Sequence, residues 1–187
     1  LIFKGEKSAQ AEEFYYFRSA LSWFPNNNRI AFAAKTATGD KIHILDVKKE
    51  KIVRTITIPE LKAIYEADVS PDGLSLVLAA QKGVQADLFL YDLQTDKLTP
   101  LTNDSYDDTH PRFSPDGKYV AYDSERKTKK VDSRYGLFSD LTRDIFTIDL
   151  QTNEIMQRTF EDYDCFTPIW AENGNYLAFL SYKHSIA

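Results

Sequence analysis

Three histidines and one cysteine are the residues through which this 187-residue chain could perform nucleophilic or acid–base chemistry. His43 lies in an apolar run between Ile42 and Ile44, His110 precedes Pro111, and His184 is close to Ala187. An imidazole acts as a general base, or activates a nucleophile, when a serine or cysteine is held within reach. No recognisable motif does this here. There is no Gly-x-Ser-x-Gly elbow, no His-Glu-x-x-His, no phosphate-cradling glycine loop and no dinucleotide fingerprint. A structural role is therefore the expectation for all three histidines, with His110 bonding the backbone of a turn. Cys165, between Asp164 and Phe166, has no basic neighbour to depress its pKa and reads as a small buried residue of an inner strand. No catalytic residue and no cofactor are expected in this chain, and a catalytic domain elsewhere in the full protein stays compatible with it.

Metal chemistry is equally poorly provided for. One cysteine and three scattered histidines do not make a zinc site. The acidic stretch Asp104-Ser105-Tyr106-Asp107-Asp108 lacks the spacing and the bidentate glutamate of a calcium loop. Asp107 or Asp108 is expected to bond backbone N–H groups where the chain crosses between repeats.

The better candidate is an insertion. From Gly73 to Asp92 is 19 positions, whereas Gly117 to the equivalent Asp149 is 32, so thirteen residues are added within Glu125 to Arg143. Arg126, Lys127, Lys129, Lys130, Arg134 and Arg143 oppose Glu125, Asp132 and Asp140, a net +3 in a chain whose formal charge is −5. Tyr135, Leu137, Phe138 and Leu141 lie among them without a strand pattern. A long excursion from a regular scaffold is disproportionately functional. Arg126, Lys127, Lys129, Lys130, Arg134 and Tyr135 are the candidate partner-binding residues, suited to an acidic protein or peptide. The alternative is a solvated excursion whose apolar residues fold back on the scaffold.

The elements that would carry these residues are strands. Phe and Tyr total 23 (12 and 11), and they cluster with β-branched and aliphatic residues in runs such as Leu88-Phe89-Leu90-Tyr91 and Ile145-Phe146-Thr147-Ile148. Helical periodicity is confined to Ser8–Phe17, where a turn or two of helix is expected.

Four segments align without gaps: Trp23-Phe24-Pro25-Asn26-Asn27, Val69-Ser70-Pro71-Asp72-Gly73, Phe113-Ser114-Pro115-Asp116-Gly117 and Trp170-Ala171-Glu172-Asn173-Gly174. They are 46, 44 and 57 residues apart. Each precedes an apolar strand, and in three units a second signature follows: Ile44-Leu45-Asp46-Val47, Leu90-Tyr91-Asp92-Leu93 and Ile148-Asp149-Leu150. In the turns Pro71-Asp72-Gly73 and Pro115-Asp116-Gly117, proline presets φ at the first central position, aspartate suits the second, and glycine takes the left-handed conformation that follows. Asp96 and Asn153 stand where a second hairpin needs positive φ, and Glu50 suits that position less well.

Each unit thus reads as four strands joined by tight turns, apolar on both faces, as expected of a sheet packed between like neighbours. A four-stranded repeat of 44 to 46 residues is a β-propeller blade. The units span about 19–62, 63–105, 106–162 and an incomplete 163–187, with 1–18 as a strand or extension from a neighbouring blade. The fold class is all-β, with about three full blades and part of a fourth, a portion of a larger ring. A closed four-bladed ring, completed by Leu1 to Phe3 and Phe14 to Arg18, is the competing arrangement.

The run from Asp87 to Leu93, then Leu98 to Asp104, then His110 to Tyr122 closely resembles the TolB-like propeller repeats, and the resemblance extends from Ser19 to Tyr182. It is weaker in the first unit, where Asn26-Asn27 replaces Asp-Gly, and in the fourth, which lacks the proline. The resemblance implies a periplasmic, cell-envelope or secreted location and a protein-interaction scaffold. It also admits the substrate-gating propeller of a prolyl-oligopeptidase-type serine peptidase. A third reading is a carbohydrate or polymer binder with Tyr106 and Tyr163 along a groove.

Composition narrows the rest. At 43% hydrophobic and 27% charged residues the chain has the balance of a folded protein rather than a disordered one. Its acidic excess argues against nucleic acid as a partner, and no apolar run reaches the ~20 residues of a membrane-spanning helix. With Leu1 at its start and no charged-then-apolar leader, it reads as a processed or excised piece.

Overall fold

The computed structural model describes residues 21–126, 142–161 and 163–182. The helical turns expected over 8–17, the strands proposed for residues 1–18, and Lys127, Lys129, Lys130, Arg134 and Tyr135 lie outside them. The described residues are all-β, with fourteen strands and no helix.

The first sheet holds β1 (Ser22–Trp23), β2 (Arg29–Thr36), β3 (Gly39–Asp46) and β4 (Lys51–Ile56) in that order. The second holds β5 (Ala63–Val69), β6 (Ser75–Gln81), β7 (Ala86–Asp92) and β8 (Leu98–Pro100). The third holds β9 (Asp108–Phe113), β10 (Tyr119–Ser124), β11 (Asp144–Asp149) and β12 (Ile155–Gln157). A two-stranded sheet, β13 (Asp164–Trp170) and β14 (Leu177–Tyr182), follows. All pairings are antiparallel. Each sheet packs on the next in chain order, making successive blades of a propeller that does not close within the described residues.

The two-sided apolar character of the strands has a direct cause in β6. Leu76, Leu78 and Ala80 join a core with Ala33, Ile42 and Ile44 of the first blade. The alternate residues Val77 and Ala79 join a core with Val120, Tyr122, Phe146 and Ile148 of the third. Period-2 alternation sends successive side chains to opposite faces, and here both faces are interior. Complete burial of Leu76 and Leu78 stabilises the stack by about 1.5–3 kcal/mol each.

The turns follow their residue types. Gly73, Gly117 and Gly174 have φ of +72°, +70° and +72°, and Asn27 takes the glycine position of the first blade at +51°. Ser70 and Ser114 donate to Asp72 and Asp116 (both 2.6 Å), while the same hydroxyls accept from the N–H groups of Ser75 and Tyr119. In the outer hairpins Glu50, Asp96 and Asn153 have φ of +52°, +58° and +60°. The aspartates of the second signature cap these hairpins: Asp92 Oδ1 accepts from the N–H groups of Gln94 and Thr95, and Asp149 Oδ1 from those of Gln151 and Thr152.

The inner strands β5, β9 and β13 each slip register against the second strand, at Ile64/Glu66, opposite Ala121/Asp123 and at Phe166/Ile169. In the last two the slip coincides with a left-handed residue before a proline, His110 before Pro111 and Thr167 before Pro168, both at φ +53°. Such a conformation is unfavourable for residues other than glycine, so surrounding bonds must hold it.

Candidate functional site

Glu66, His110 and Thr167 occupy the same repeat position, each three residues before the last residue of its inner strand. Stacked blades bring such positions together, and here they build a charged cluster on the inner side of the propeller. His110 Nδ1 lies 2.7 Å from Asp123 Oδ1, and its Nε2 lies 3.3 Å from Glu66 Oε1. Arg112 reaches the other oxygen of Glu66 at 3.1 Å. Asp123, fully buried, also accepts from the Thr109 hydroxyl (2.9 Å), the Thr167 N–H (3.0 Å) and Arg143 Nε (2.6 Å). The cluster therefore joins the second, third and fourth blades.

Burial pushes the Glu66 carboxyl above its usual range, against the opposing charges of His110 and Arg112. Burial also acts on Asp123, but the His110 hydrogen bond and charge, with Arg143, outweigh it and hold that carboxyl low. For His110 burial pulls downward and the bond to Asp123 with the charge of Glu66 prevails, so its pKa stands above the ordinary 6.5.

A second aspartate ties three blades. Asp68 Oδ1 accepts from the Ser22 hydroxyl of the first blade (2.7 Å) and Oδ2 from the Phe113 N–H of the third (2.9 Å). Trp170 of the fourth blade donates through Nε1 to the Arg112 carbonyl at 3.1 Å.

Arg126 and Arg143 bracket the insertion in the sequence, and both guanidiniums are claimed by the scaffold. Arg126 pairs with Asp104 and with Asp108 (3.3 Å), donates to the Tyr122 hydroxyl (2.6 Å), and lies 5.7 Å from the ring centres of Tyr106 and Phe146. Its side chain is only 11% exposed. Arg143 bonds Asp123 and Glu125, the Thr109 hydroxyl, and the carbonyls of Asp107 and Asp123. Arg126 is thus an anchor rather than a displayed contact residue, because nearby carboxylates desolvate and pair it. Residues 127–141 retain Lys127, Lys129, Lys130 and Arg134 against Asp132 and Asp140, a net +2.

Other expectations resolve individually. Asp107 Oδ1 accepts from the Ala86 N–H at 2.8 Å, across the crossing between blades. His110 hydrogen-bonds the Asp123 carboxylate and faces that of Glu66 at ion-pair distance instead of bonding a turn backbone, because its bulged conformation aims the ring at the neighbouring blade. His43 is buried in β3, with Nδ1 3.0 Å from the Thr55 hydroxyl oxygen. Cys165 is buried in β13, and burial raises its thiol pKa. Burial likewise pushes Asp108 up to about 6 despite Arg126, and its Oδ1 and that of Asp87 are buried without a hydrogen-bond partner. The Tyr106 ring is exposed, with the Arg126 guanidinium 5.7 Å from its centre. Among the described residues no group of three or more His, Cys, Asp or Glu is arranged to hold a metal ion.

Sequence reasoning passed over Asp123, yet a signal existed. Six residues past the turn position the other units carry Ala33, Ala79 and Leu180. A carboxylate at a position otherwise apolar in the repeat marks a buried polar role.

Sheets of four antiparallel strands, stacked face to face with Ser-Pro-Asp-Gly turns at one end, define a β-propeller of the TolB class. The chain belongs to the TolB beta propeller domain family, which it matches over residues 22–187. It is 31% identical over 127 residues to dipeptidyl-peptidase 5 of Porphyromonas gingivalis, a match covering 62% of this chain and 17% of that protein. Among solved structures it resembles TolB from Acinetobacter baumannii, with a TM-score of 0.68, 19% identity, and coverage of 90% of this chain and 38% of that one. The tricorn protease structure superposes with a TM-score of 0.61 at 21% identity, covering 83% of this chain and 14% of that one. The match spans less than a fifth of the peptidase and under two fifths of that TolB chain.

Proposed function

We propose that this propeller region is a non-catalytic recognition scaffold of a bacterial envelope or secreted protein, which presents the third-blade insertion to an acidic protein or peptide. The observation that supports it is the anchoring of both stems: Arg126 and Arg143 are bound into the blade by carboxylates, while four further basic residues lie between them. A scaffold that fixes both ends of a basic segment limits the entropy lost when that segment is captured.

The test replaces Lys127, Lys129 and Lys130 with Ser and measures binding of an oligoglutamate peptide by fluorescence anisotropy. Loss of three charge pairs with the peptide weakens binding about tenfold and leaves the urea unfolding midpoint in place. Intact binding with a lowered midpoint would make the segment structural and overturn this reading.

A second reading is favoured by the similarity to dipeptidyl-peptidase 5: the region is the substrate-gating propeller of a serine peptidase whose catalytic domain lies outside these residues. Intact mass and peptide mapping of the protein from its source separate the two. An α/β-hydrolase segment in the same chain supports the peptidase, and an envelope anchor without one supports the scaffold.

A further inference from the structure

A neutral imidazole carries one N–H and one lone pair, so it donates to one acceptor only. Both ring nitrogens of His110 face carboxylate oxygens, Asp123 Oδ1 at 2.7 Å and Glu66 Oε1 at 3.3 Å. With both carboxylates ionised, only the imidazolium satisfies both. The two acceptors belong to different blades, Glu66 to β5 and Asp123 to β10, and both are withdrawn from solvent. The ring itself is 22% exposed, so a proton has a route to it.

The surrounding charges favour the same state. Glu66 and Asp68 approach from β5, Arg112 from β9 and Asp123 from β10. Glu125 and Arg143 flank the third-blade insertion, and β13 contributes the Thr167 N–H. Four carboxylates thus oppose two guanidiniums, and a proton on His110 moves the set toward neutrality.

We propose that His110 is a proton-operated fastener between the second and third blades: protonated, it holds Glu66 and Asp123 together, and neutral, it releases one of them. Releasing Glu66 leaves that carboxylate held by Arg112 alone and weakens the inner side of the blade joint. A base whose folded pKa is raised contributes its stability below 6.5 and loses it as pH rises through the folded value. The direction for His110 is upward, so the fastener opens on the alkaline side. Glu66 is also raised, and the experiment must show which of the two carries the proton.

The experiment is a long-range 1H–15N titration of the histidine rings in the intact chain, from pH 5 to 9, with assignments carried from the backbone of the unmodified protein. The chain has three histidines, so the spectrum is tractable. Two protonated ring nitrogens on His110 at pH 6, a midpoint above 6.5, and a urea unfolding midpoint that falls through the same pH are expected. Glu66→Gln should lower the His110 midpoint by about one unit or more and flatten the urea profile. A single protonated ring nitrogen at pH 6 would overturn the proposal, since the shared proton would then reside on Glu66. A urea profile indifferent to the His110 midpoint would overturn it equally.

Discussion

Pro25 of the first blade lies so close to Gly73 of the second that a methyl group built on Gly73 would stand 3.3 Å from Pro25 Cδ. The relation recurs one blade further on, with 3.7 Å between such a group on Gly117 and Pro71 Cδ, and again between Gly174 and Pro115 Cδ. Each turn proline therefore serves two blades. It sets φ in its own turn and covers the left-handed residue of the next.

Replacing these glycines should separate backbone strain from crowding. Gly117→Ala forces a side chain into the left-handed region and costs about 1–2 kcal/mol. Gly73→Ala carries the same strain plus the tight approach of Pro25, so a further loss of about 1 kcal/mol is expected. Urea denaturation of the two variants checks the ordering, and equal losses would show that Pro25 yields freely.

Asp68→Ala removes the acceptor shared by the Ser22 hydroxyl and the Phe113 N–H. The stranded N–H alone is worth about 1–3 kcal/mol. Asp68→Asn, which keeps one acceptor oxygen, should recover part of that loss. Hydrogen exchange at Phe113 reports the site directly, and unchanged protection in the alanine variant would remove Asp68 from the joint.

Asp108 gives a pH-dependent prediction of definite sign. Its pKa in the fold is raised from 3.8 to about 6, chiefly by burial. A raised acid contributes stability that is complete below its unfolded value and lost as pH climbs through the folded one. The unfolding midpoint should carry a component that falls between about pH 4 and 7, and Asp108→Asn should abolish that component. Parallel profiles for the two proteins would show that the carboxylate is solvated well enough to ionise normally.

The blade rhythm was legible because its causes are local. Positive φ at Gly73, Gly117, Asp96 and Asn153 follows from residue type and spacing within a few positions. The alternation in β6 was equally plain, since both faces of that strand are apolar. The charged cluster was hidden because its partners are one repeat apart: Glu66 and His110 are separated by 44 residues, and only superposing successive units shows that they share a position. Arg126 misled for a related reason. Charge in a sequence says nothing about which acids lie across the fold, and Asp104, 22 residues upstream, pairs with Arg126 and makes it a half-buried anchor.

The clamping of Arg126 and Arg143 also makes the third blade a graft port. Its strand pairing from Tyr119↔Asp149 to Ser124↔Asp144 is complete outside the insertion, and the entropy of closing a loop grows only slowly with its length. A foreign peptide spliced in place of residues 127–141 would inherit two fixed ends on the sheet, one at Arg126 and one at Arg143.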